Sequence, residues 1–395
     1  KHILVLTTEG GDNVRLASVN VQTGETSQIA AEPRWDITGF ETSDDGKLVA
    51  YTVNEDGAER IRVVDAIGKT AKDLPKLPLG IVGDLRWRKG THELGFTFSS
   101  ARSPADVYSI DVDGNKLERW TRSETGGLNT GAFSEPEIVR WKSFDGLEIS
   151  GLYYKPAARF TGPRPVIVNI HGGPEGQSQA GYQARNNYYL NELGIAIIFP
   201  NVRGSDGYGR KYLSLDNSYK REDSVKDIGT LLDWIGKRPE LDASRIMVTG
   251  GSYGGYMTLA TMTHYNDRVR CGVDVVGISN WVTFLQNTEA YRRDLRRVEY
   301  GDERDPKMKD FLFTISPVKN VKKITKPMMI VQGRNDPRVP WTESEQMVEA
   351  IRQNNTSVWY VLAADEGHGF SKKKNQDYQF AATVLFAKKN LLGQE

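Results

Sequence analysis

The segment that most constrains this chain is Gly250-Gly251-Ser252-Tyr253-Gly254-Gly255. It follows the apolar run Arg245-Ile246-Met247-Val248-Thr249. It precedes the helix-compatible run Tyr256-Met257-Thr258-Leu259-Ala260-Thr261-Met262. A strand that passes through a tight turn directly into a helix belongs to an α/β sheet. Gly-x-Ser-x-Gly at that turn lifts the serine hydroxyl clear of the backbone. Small residues are needed there because strand and helix approach closely. The helix N-terminus beside Ser252 favours developing negative charge. By itself the segment also fits a plain glycine-rich turn that holds a serine. Two further segments favour the chemical reading.

A serine hydroxyl is a weak nucleophile and needs a general base, itself oriented by a carboxylate. Where the serine sits on such a turn, the chain order is serine, acid, histidine. Of the five histidines, His2, His92, His171, His264 and His368, only His368 lies well downstream of Ser252. It sits in Asp365-Glu366-Gly367-His368-Gly369-Phe370, after the apolar run Val358-Trp359-Tyr360-Val361-Leu362. That placement predicts a loop beyond a strand end. The acid is expected at the end of an intervening strand. Lys326-Pro327-Met328-Met329-Ile330-Val331-Gln332-Gly333 reads as that strand and runs into Arg334-Asn335-Asp336-Pro337-Arg338-Val339-Pro340. Asp336 is the preferred acid and Asp365 or Glu366 the competitor, because sites in open α/β sheets collect just beyond parallel strands. Pro165-Val166-Ile167-Val168-Asn169-Ile170 reads as a further strand, followed by His171-Gly172-Gly173-Pro174. The expected oxyanion donors are the N–H of Tyr253 and one N–H from Gly172 or Gly173.

The rest of this half reads as strands alternating with helices, hence a mostly parallel sheet flanked by helices. Phe144-Asp145-Gly146 marks a hairpin between residues 137–141 and 147–154. Ala196-Ile197-Ile198-Phe199-Pro200 is a buried strand. Ile228, Leu231, Leu232 and Ile235 have helical spacing, as do Met347, Ala350 and Ile351, and Phe380, Val384, Leu385 and Phe386.

The first 130 residues follow a different pattern. Val5-Leu6-Thr7-Thr8, Ala50-Tyr51-Thr52-Val53 and Gly95-Phe96-Thr97-Phe98 recur at a spacing of 45 residues. Each precedes a second strand, at 16–21, 61–65 and 107–112, and then a turn glycine: Gly24, Gly68 or Gly114. A repeat of about 45 residues built from short strands is the signature of β-propeller blades, with an ordinary β-sandwich as the alternative. Propellers need roughly 4–8 blades to close, and at most three fit before residue 130. The expectation is therefore an incomplete propeller over residues 1–130 and an α/β hydrolase domain over 131–395. The front blades are expected to be missing, and the exposed edges to be covered by the second domain, by a second copy of the chain or by the missing fragment. Trp35, Trp87, Trp120 and Trp141 read as blade and interface core.

Charge excludes little but agrees with an enzyme. Lys plus Arg total 52 against 51 Asp plus Glu, a net charge of +1, so no nucleic-acid partner is implied. The basic clusters Arg292-Arg293 with Arg296-Arg297, and Lys372-Lys373-Lys374, read as solvated helix faces. No run of 18 apolar residues exists, so no membrane span is expected; the compartment stays open between cytoplasm and periplasm or exterior. The single cysteine, Cys271, lies in an apolar run and reads as core. No metal-ligand spacing or phosphate-binding loop is present, and no cofactor is expected.

Residues from about 137 to 393 resemble the catalytic domain of the prolyl oligopeptidase family of serine peptidases. The matching segments are His171-Gly172-Gly173-Pro174, Asn201-Val202-Arg203-Gly204-Ser205-Asp206-Gly207-Tyr208-Gly209, the serine turn through Tyr256, Gln332 to Pro340, and Glu366 to Phe370. The likeness is greatest to the acylaminoacyl-peptidase and bacterial dipeptidyl-aminopeptidase-like branch. Other branches carry a tyrosine at the place of His171, whose hydroxyl serves the oxyanion; here the resemblance implies that the Gly173 N–H does so. It also implies a side-chain pocket lined by Ile278, Trp281, Phe284 and Val339 with Tyr253 and Tyr256, suited to an apolar or proline-sized residue. Arg338 falls where relatives contact the substrate backbone, though a surface role is equally open. The implied function is hydrolysis of short peptides through an acyl-enzyme. A carboxylesterase with the same triad, or a truncated or vestigial binding protein, is the alternative.

Overall fold

The computed structural model describes residues 1–32, 34–66 and 70–394. They form two compact units. One holds Lys1–Ile138 with Gln179–Asn187 and Asp206–Leu213, the other Val139–Ser178, Tyr188–Ser205 and the residues from Ser214 onward.

The first unit is built from three antiparallel sheets. They are β1 (His2–Thr7), β2 (Arg15–Asn20) and β3 (Thr26–Ala30); β4 (Asp36–Thr42), β5 (Leu48–Glu55) and β6 (Ala58–Asp65); and β7 (Gly80–Trp87), β8 (Glu93–Ser100), β9 (Ser103–Asp111) and β10 (Lys116–Arg119). The 45-residue repeat appears directly in the register. Val5 pairs with Ala17, Ala50 with Val63 and Gly95 with Ser109, so equivalent strands pair in each sheet. Side chains alternate across a strand, which lets β5 serve two cores. Val49, Tyr51 and Val53 pack with Leu16 and Ile37, whereas Leu48 and Ala50 pack with Val82, Leu94, Phe96 and Ile110.

Gly24 and Gly114 lie in the turns after β2 and β9, and Gly68 lies outside the described residues. Trp35 packs edge-on against Tyr208, and Trp87 Nε1 donates to the Glu41 carbonyl. Trp120 departs from the core expectation. It follows β10, which among the described residues is the edge strand of its sheet, and is 58% exposed.

Apart from the first two residues of β11, the second unit contains one sheet of β11 (Glu137–Lys142), β12 (Glu148–Tyr154), β13 (Arg164–Ile170), β14 (Ala196–Asn201), β15 (Leu241–Gly251), β16 (Cys271–Val275), β17 (Met328–Gly333) and β18 (Val358–Ala363). Their spatial order is β11-β12-β14-β13-β15-β16-β17-β18, parallel from β14 onward. The parallel strands are near-continuous apolar runs because helices cover both faces of such a sheet.

The helices are α1 (Asn186–Asn191), α2 (Arg210–Leu213), α3 (Asp223–Gly236), α4 (Tyr253–His264), α5 (Trp281–Asn287), α6 (Ala290–Tyr300), α7 (Pro306–Ile315), α8 (Trp341–Gln353) and α9 (Lys373–Asn390). In α3, Val225, Ile228, Leu231, Leu232 and Ile235 form the buried face that the spacing predicts. α4 is buried from Tyr253 to Thr263, as a helix apolar around its circumference must be. Arg203 ties the 145 turn to α3: its guanidinium lies 2.9 Å from Asp145 and 2.9 Å from the buried Asp227. Cys271 is core, and burial pushes its thiol up to about 12. No helix among the described residues is long and apolar enough to cross a membrane.

The strand order has a functional consequence. β13 lies between β14 and β15, so the chain leaves it to one side and returns on the other. A crevice forms at the carboxyl ends of strands at such a switch point. The segments carrying Gly172 and Gly173, Ser252, Asp336 and His368 follow β13, β15, β17 and β18 respectively.

Candidate active site

Ser252 occupies the turn between β15 and α4 with φ 61° and ψ −119°. A positive φ is costly for a serine, and the surrounding contacts must hold it there. Its N–H donates to the Val275 carbonyl at 2.9 Å. The motif glycines are required by close approach. A Cβ on Gly250 would lie 2.4 Å from the Gly254 carbonyl oxygen, and one on Gly254 would lie 2.1 Å from that of Ile170. The strand and helix therefore meet at backbone distance, and the serine side chain is the group left projecting.

Asp336 and His368 are joined. His368 Nδ1 lies 2.7 Å from Asp336 Oδ2, and the aspartate side chain is fully buried. The other carboxylate oxygen accepts from the N–H groups of Arg338 at 2.8 Å and Val339 at 3.0 Å. Gln332, at the end of β17, donates to Oδ2 at 3.3 Å. A carboxylate so held can only accept, so His368 carries its proton on Nδ1 and presents the Nε2 lone pair. The sequence competitors are engaged elsewhere. Asp365 pairs with Lys372 and Asn375, and Glu366 accepts from the backbone N–H groups of Ser371 and Lys372. Ser252 Oγ makes no hydrogen bond among the described residues, so the structure does not join it directly to His368. Serine–base contacts commonly tighten only when substrate binds.

Tyr253 opens α4, and its N–H has no partner within the helix. Gly172 lies against the serine turn, its would-be Cβ 2.9 Å from the Gly251 carbonyl oxygen and 3.4 Å from Ser252 Cβ. His171 Nδ1 lies 2.8 Å from the Gly172 carbonyl oxygen, and Nε2 lies 2.8 Å from Ser205 Oγ. Burial holds the His171 imidazole below its ordinary pKa. Gly173 is pinned from the other side, where the Tyr300 hydroxyl donates to its carbonyl at 2.9 Å.

Tyr300 carries no sequence motif and is missed by sequence reasoning. Replacing it with phenylalanine is expected to lower kcat about two- to tenfold, the worth of one ordinary hydrogen bond, with KM nearly unchanged. An unchanged kcat in steady-state kinetics would show that the Gly173 loop is held without it.

A second group missed from sequence lies behind the serine turn. Arg221 is fully buried, with Nη1 2.5 Å from Asp216 Oδ2. The Tyr253 hydroxyl donates to the same Asp216 oxygen at 3.0 Å and contacts Ser224 Oγ at 2.8 Å. The guanidinium carbon lies 5.2 Å from the Tyr253 ring centre and 4.8 Å from that of Tyr300. One buried cation thus touches both the residue that offers the Tyr253 N–H and the residue that pins Gly173.

A pocket of about 80 Å³ opens beside Ser252, lined by Gly173, Ile278, Phe284, Tyr300, Val339 and the three arginines 292, 296 and 338. Of the residues named for the side-chain pocket, Ile278, Phe284, Val339 and Arg338 line this cavity. Trp281 and Tyr256 do not line it. They are fully buried, packed against each other with ring centres 4.6 Å apart, and Trp281 backs Tyr300 at 4.5 Å. Tyr253 also lies behind the wall, its ring parallel to that of Tyr300 within 8°. The loop bearing Ile278 is anchored to α8. Glu343 accepts from the N–H groups of Ser279 at 3.2 Å and Asn280 at 2.8 Å, and burial pushes its pKa up.

Arg292 and Arg296 correct the sequence reading of a solvated helix face. Positions i, i+4 and i+8 share one side of a helix, and α6 turns Arg292, Arg296 and Tyr300 into the pocket.

Comparison with known proteins places this arrangement. Residues 181–394 match the prolyl oligopeptidase family, peptidase family S9. Dipeptidyl aminopeptidase BIII of Pseudoxanthomonas mexicana is 29% identical over 405 aligned residues, covering 98% of this chain and 57% of that protein. Dipeptidyl peptidase family member 6 of Caenorhabditis elegans is 34% identical over 236 residues, 59% of this chain and 32% of the relative. The chain therefore spans 32% to 57% of the length of these curated relatives. Among solved structures, a Mycobacterium tuberculosis puromycin-hydrolyzing peptidase superposes with a TM-score of 0.88 at 22% identity over 100% of this chain and 61% of the other, a likeness of fold. Because the family match spans more than half of the chain and takes in the turn of Ser252 and the loops of Asp336 and His368, the chain belongs to the prolyl oligopeptidase family.

Proposed function

We propose that the protein is a serine peptidase that hydrolyses short peptides through an acyl-enzyme, with residues 131–395 as the catalytic domain and 1–130 as a β-propeller segment. Ser252 Oγ attacks the scissile carbonyl as its proton passes to His368 Nε2. Asp336 holds the imidazole tautomer and stabilises the imidazolium. The N–H groups of Tyr253 and Gly173 receive the oxyanion. The tetrahedral intermediate collapses, the C–N bond breaks, and His368 returns the proton to the leaving amine. Water then repeats the sequence on the ester and frees Ser252. Ile278, Phe284 and Val339 offer an apolar wall to the side chain before the scissile bond.

The observation that carries this reading is the 2.7 Å hydrogen bond between His368 Nδ1 and the buried Asp336. It leaves the imidazole lone pair available on the sheet edge where the strained Ser252 turn sits. The test is labelling of the whole chain with a fluorophosphonate, with the adduct located by mass spectrometry. A panel of acylated peptide amides, free dipeptide amides and simple esters follows. An adduct on Ser252 with amide turnover is expected. Ester turnover alone would make it a carboxylesterase, and a folded but unlabelled chain would favour a binding protein.

A further inference from the structure

We propose that the pocket beside Ser252 takes a substrate carboxylate, held by the guanidinium groups of Arg292, Arg296 and Arg338. The inference rests on the serine-peptidase reading above and names a substrate class for it.

The orientation of α6 is the first argument. A surface helix normally turns apolar residues inward and charges outward. Here Tyr291, Leu295 and Val298 are 74%, 65% and 83% exposed, while Arg292, Arg296 and Tyr300 face the pocket. That inversion forgoes apolar burial and brings cations to a confined site.

The second argument is the distribution of counter-charge. Arg297, on the same helix, is matched by Asp294, Asp302 and Glu303 within 3.6 Å. Arg292 and Arg338 form no ion pair among the described residues, and the Nε of Arg292 is buried without a hydrogen-bond partner. Arg296 pairs with Glu299 at 2.7 Å. Glu299 also lies 3.7 Å from Arg221, so this one carboxylate is shared between two arginines. Glu175, exposed on the loop after Gly173, acts on Arg296 only through space. A desolvated polar group left unpaired is costly, and an anionic ligand removes that cost.

The third argument is shape. Guanidinium groups match carboxylates in planar, bidentate geometry. Ile278, Phe284 and Val339 supply the apolar contact that the methylenes of an acidic side chain need. Gly173 and Ser252 share the pocket, so the bound carboxylate lies next to the carbonyl under attack. It has two sources: the side chain of Asp or Glu preceding the scissile bond, or the terminal carboxylate of a short peptide.

Two sets of substrates separate these sources. The first is acylated dipeptide amides of a neutral fluorophore with Glu, Asp, Gln or Leu before the bond. The second is neutral peptides with a free or an amidated C-terminus. In one set or the other, the carboxylate form is expected to exceed its neutral counterpart in kcat/KM by roughly tenfold to a hundredfold. The ratio should fall at about 0.5 M NaCl, where screening shortens to a few Å. Arg292→Gln should bring it toward unity; if that variant does not fold, the wild-type ratios and their salt dependence decide. A Ser252 adduct and neutral-peptide turnover with both ratios within about twofold would overturn the carboxylate site and leave the peptidase reading standing. Absence of any adduct would overturn both.

Discussion

Ser252→Ala is expected to lower kcat by about a millionfold, the loss typical when the nucleophile of a concerted triad is removed, and to abolish the fluorophosphonate adduct. Asp336→Asn should be less severe and more informative. The asparagine amide turns an N–H₂ or a neutral oxygen toward His368 Nδ1 in place of the carboxylate now 2.7 Å away. The tautomer that presents the Nε2 lone pair is then no longer enforced, and kcat should fall about ten-thousandfold. The fold should survive, because an amide oxygen can still accept from the Arg338 and Val339 N–H groups. The comparison variant is Asp365→Asn, which removes an exposed pair with Lys372; exposed pairs contribute about 0–1 kcal/mol, and activity should be nearly unchanged. Steady-state kinetics on the three variants check the assignment. A larger loss in Asp365→Asn than in Asp336→Asn would move the acid to the competitor position.

The parts legible in the sequence are those whose signal is local. Ser252 stands between an apolar run and a helical period. Asp336 and His368 each follow a short apolar run, and the structure hydrogen-bonds these two residues although 32 positions separate them. Parallel strands end on one edge of the sheet, so loops that follow them collect there whatever their distance in sequence. The propeller sheets were legible for the same reason, since a repeat is a local pattern occurring more than once.

What was not legible depends on which way a helix turns and on what fills its back. Arg292 and Arg296 have the spacing of a solvated stripe. Nothing within Ala290–Tyr300 reveals that Tyr291, Leu295 and Val298 face out while Arg292 and Arg296 line the pocket beside Ser252. Trp281 and Tyr256 were expected to line the pocket, but aromatic rings of that size fill the layer behind it, with smaller Ile278 and Val339 at the surface. Arg221 and Asp216 form a buried ion pair between segments with no apolar period. Trp120 read as core because an aromatic residue beside a strand usually is, and an edge strand is the exception.

Arg221→Met is expected to destabilise the α/β unit by about 3–5 kcal/mol, because it leaves the Asp216 carboxyl buried without its cation. The fall in unfolding midpoint should be roughly 6–20 °C for a unit of this size. The double variant Arg221→Met, Asp216→Leu removes both charges and should regain most of that stability, since a buried pair is often no better than well-packed apolar groups. Activity should not follow stability. Arg221 lies 5.2 Å and 4.8 Å from the rings of Tyr253 and Tyr300, and Asp216 accepts from the Tyr253 hydroxyl at 3.0 Å. With both gone, the residues that carry and brace the two proposed oxyanion donors lose their common partner. Donors must sit within a few tenths of an ångström of the developing oxyanion to be effective. The double variant should therefore keep its KM and unfolding midpoint near wild type while kcat stays depressed, by about ten- to a hundredfold against the several-hundredfold that loss of a whole donor costs. Full recovery of kcat along with stability would reduce the network to a structural ion pair. A depressed kcat in a stable protein would make Arg221 a positioning residue for the oxyanion site, one that no motif in the chain announces.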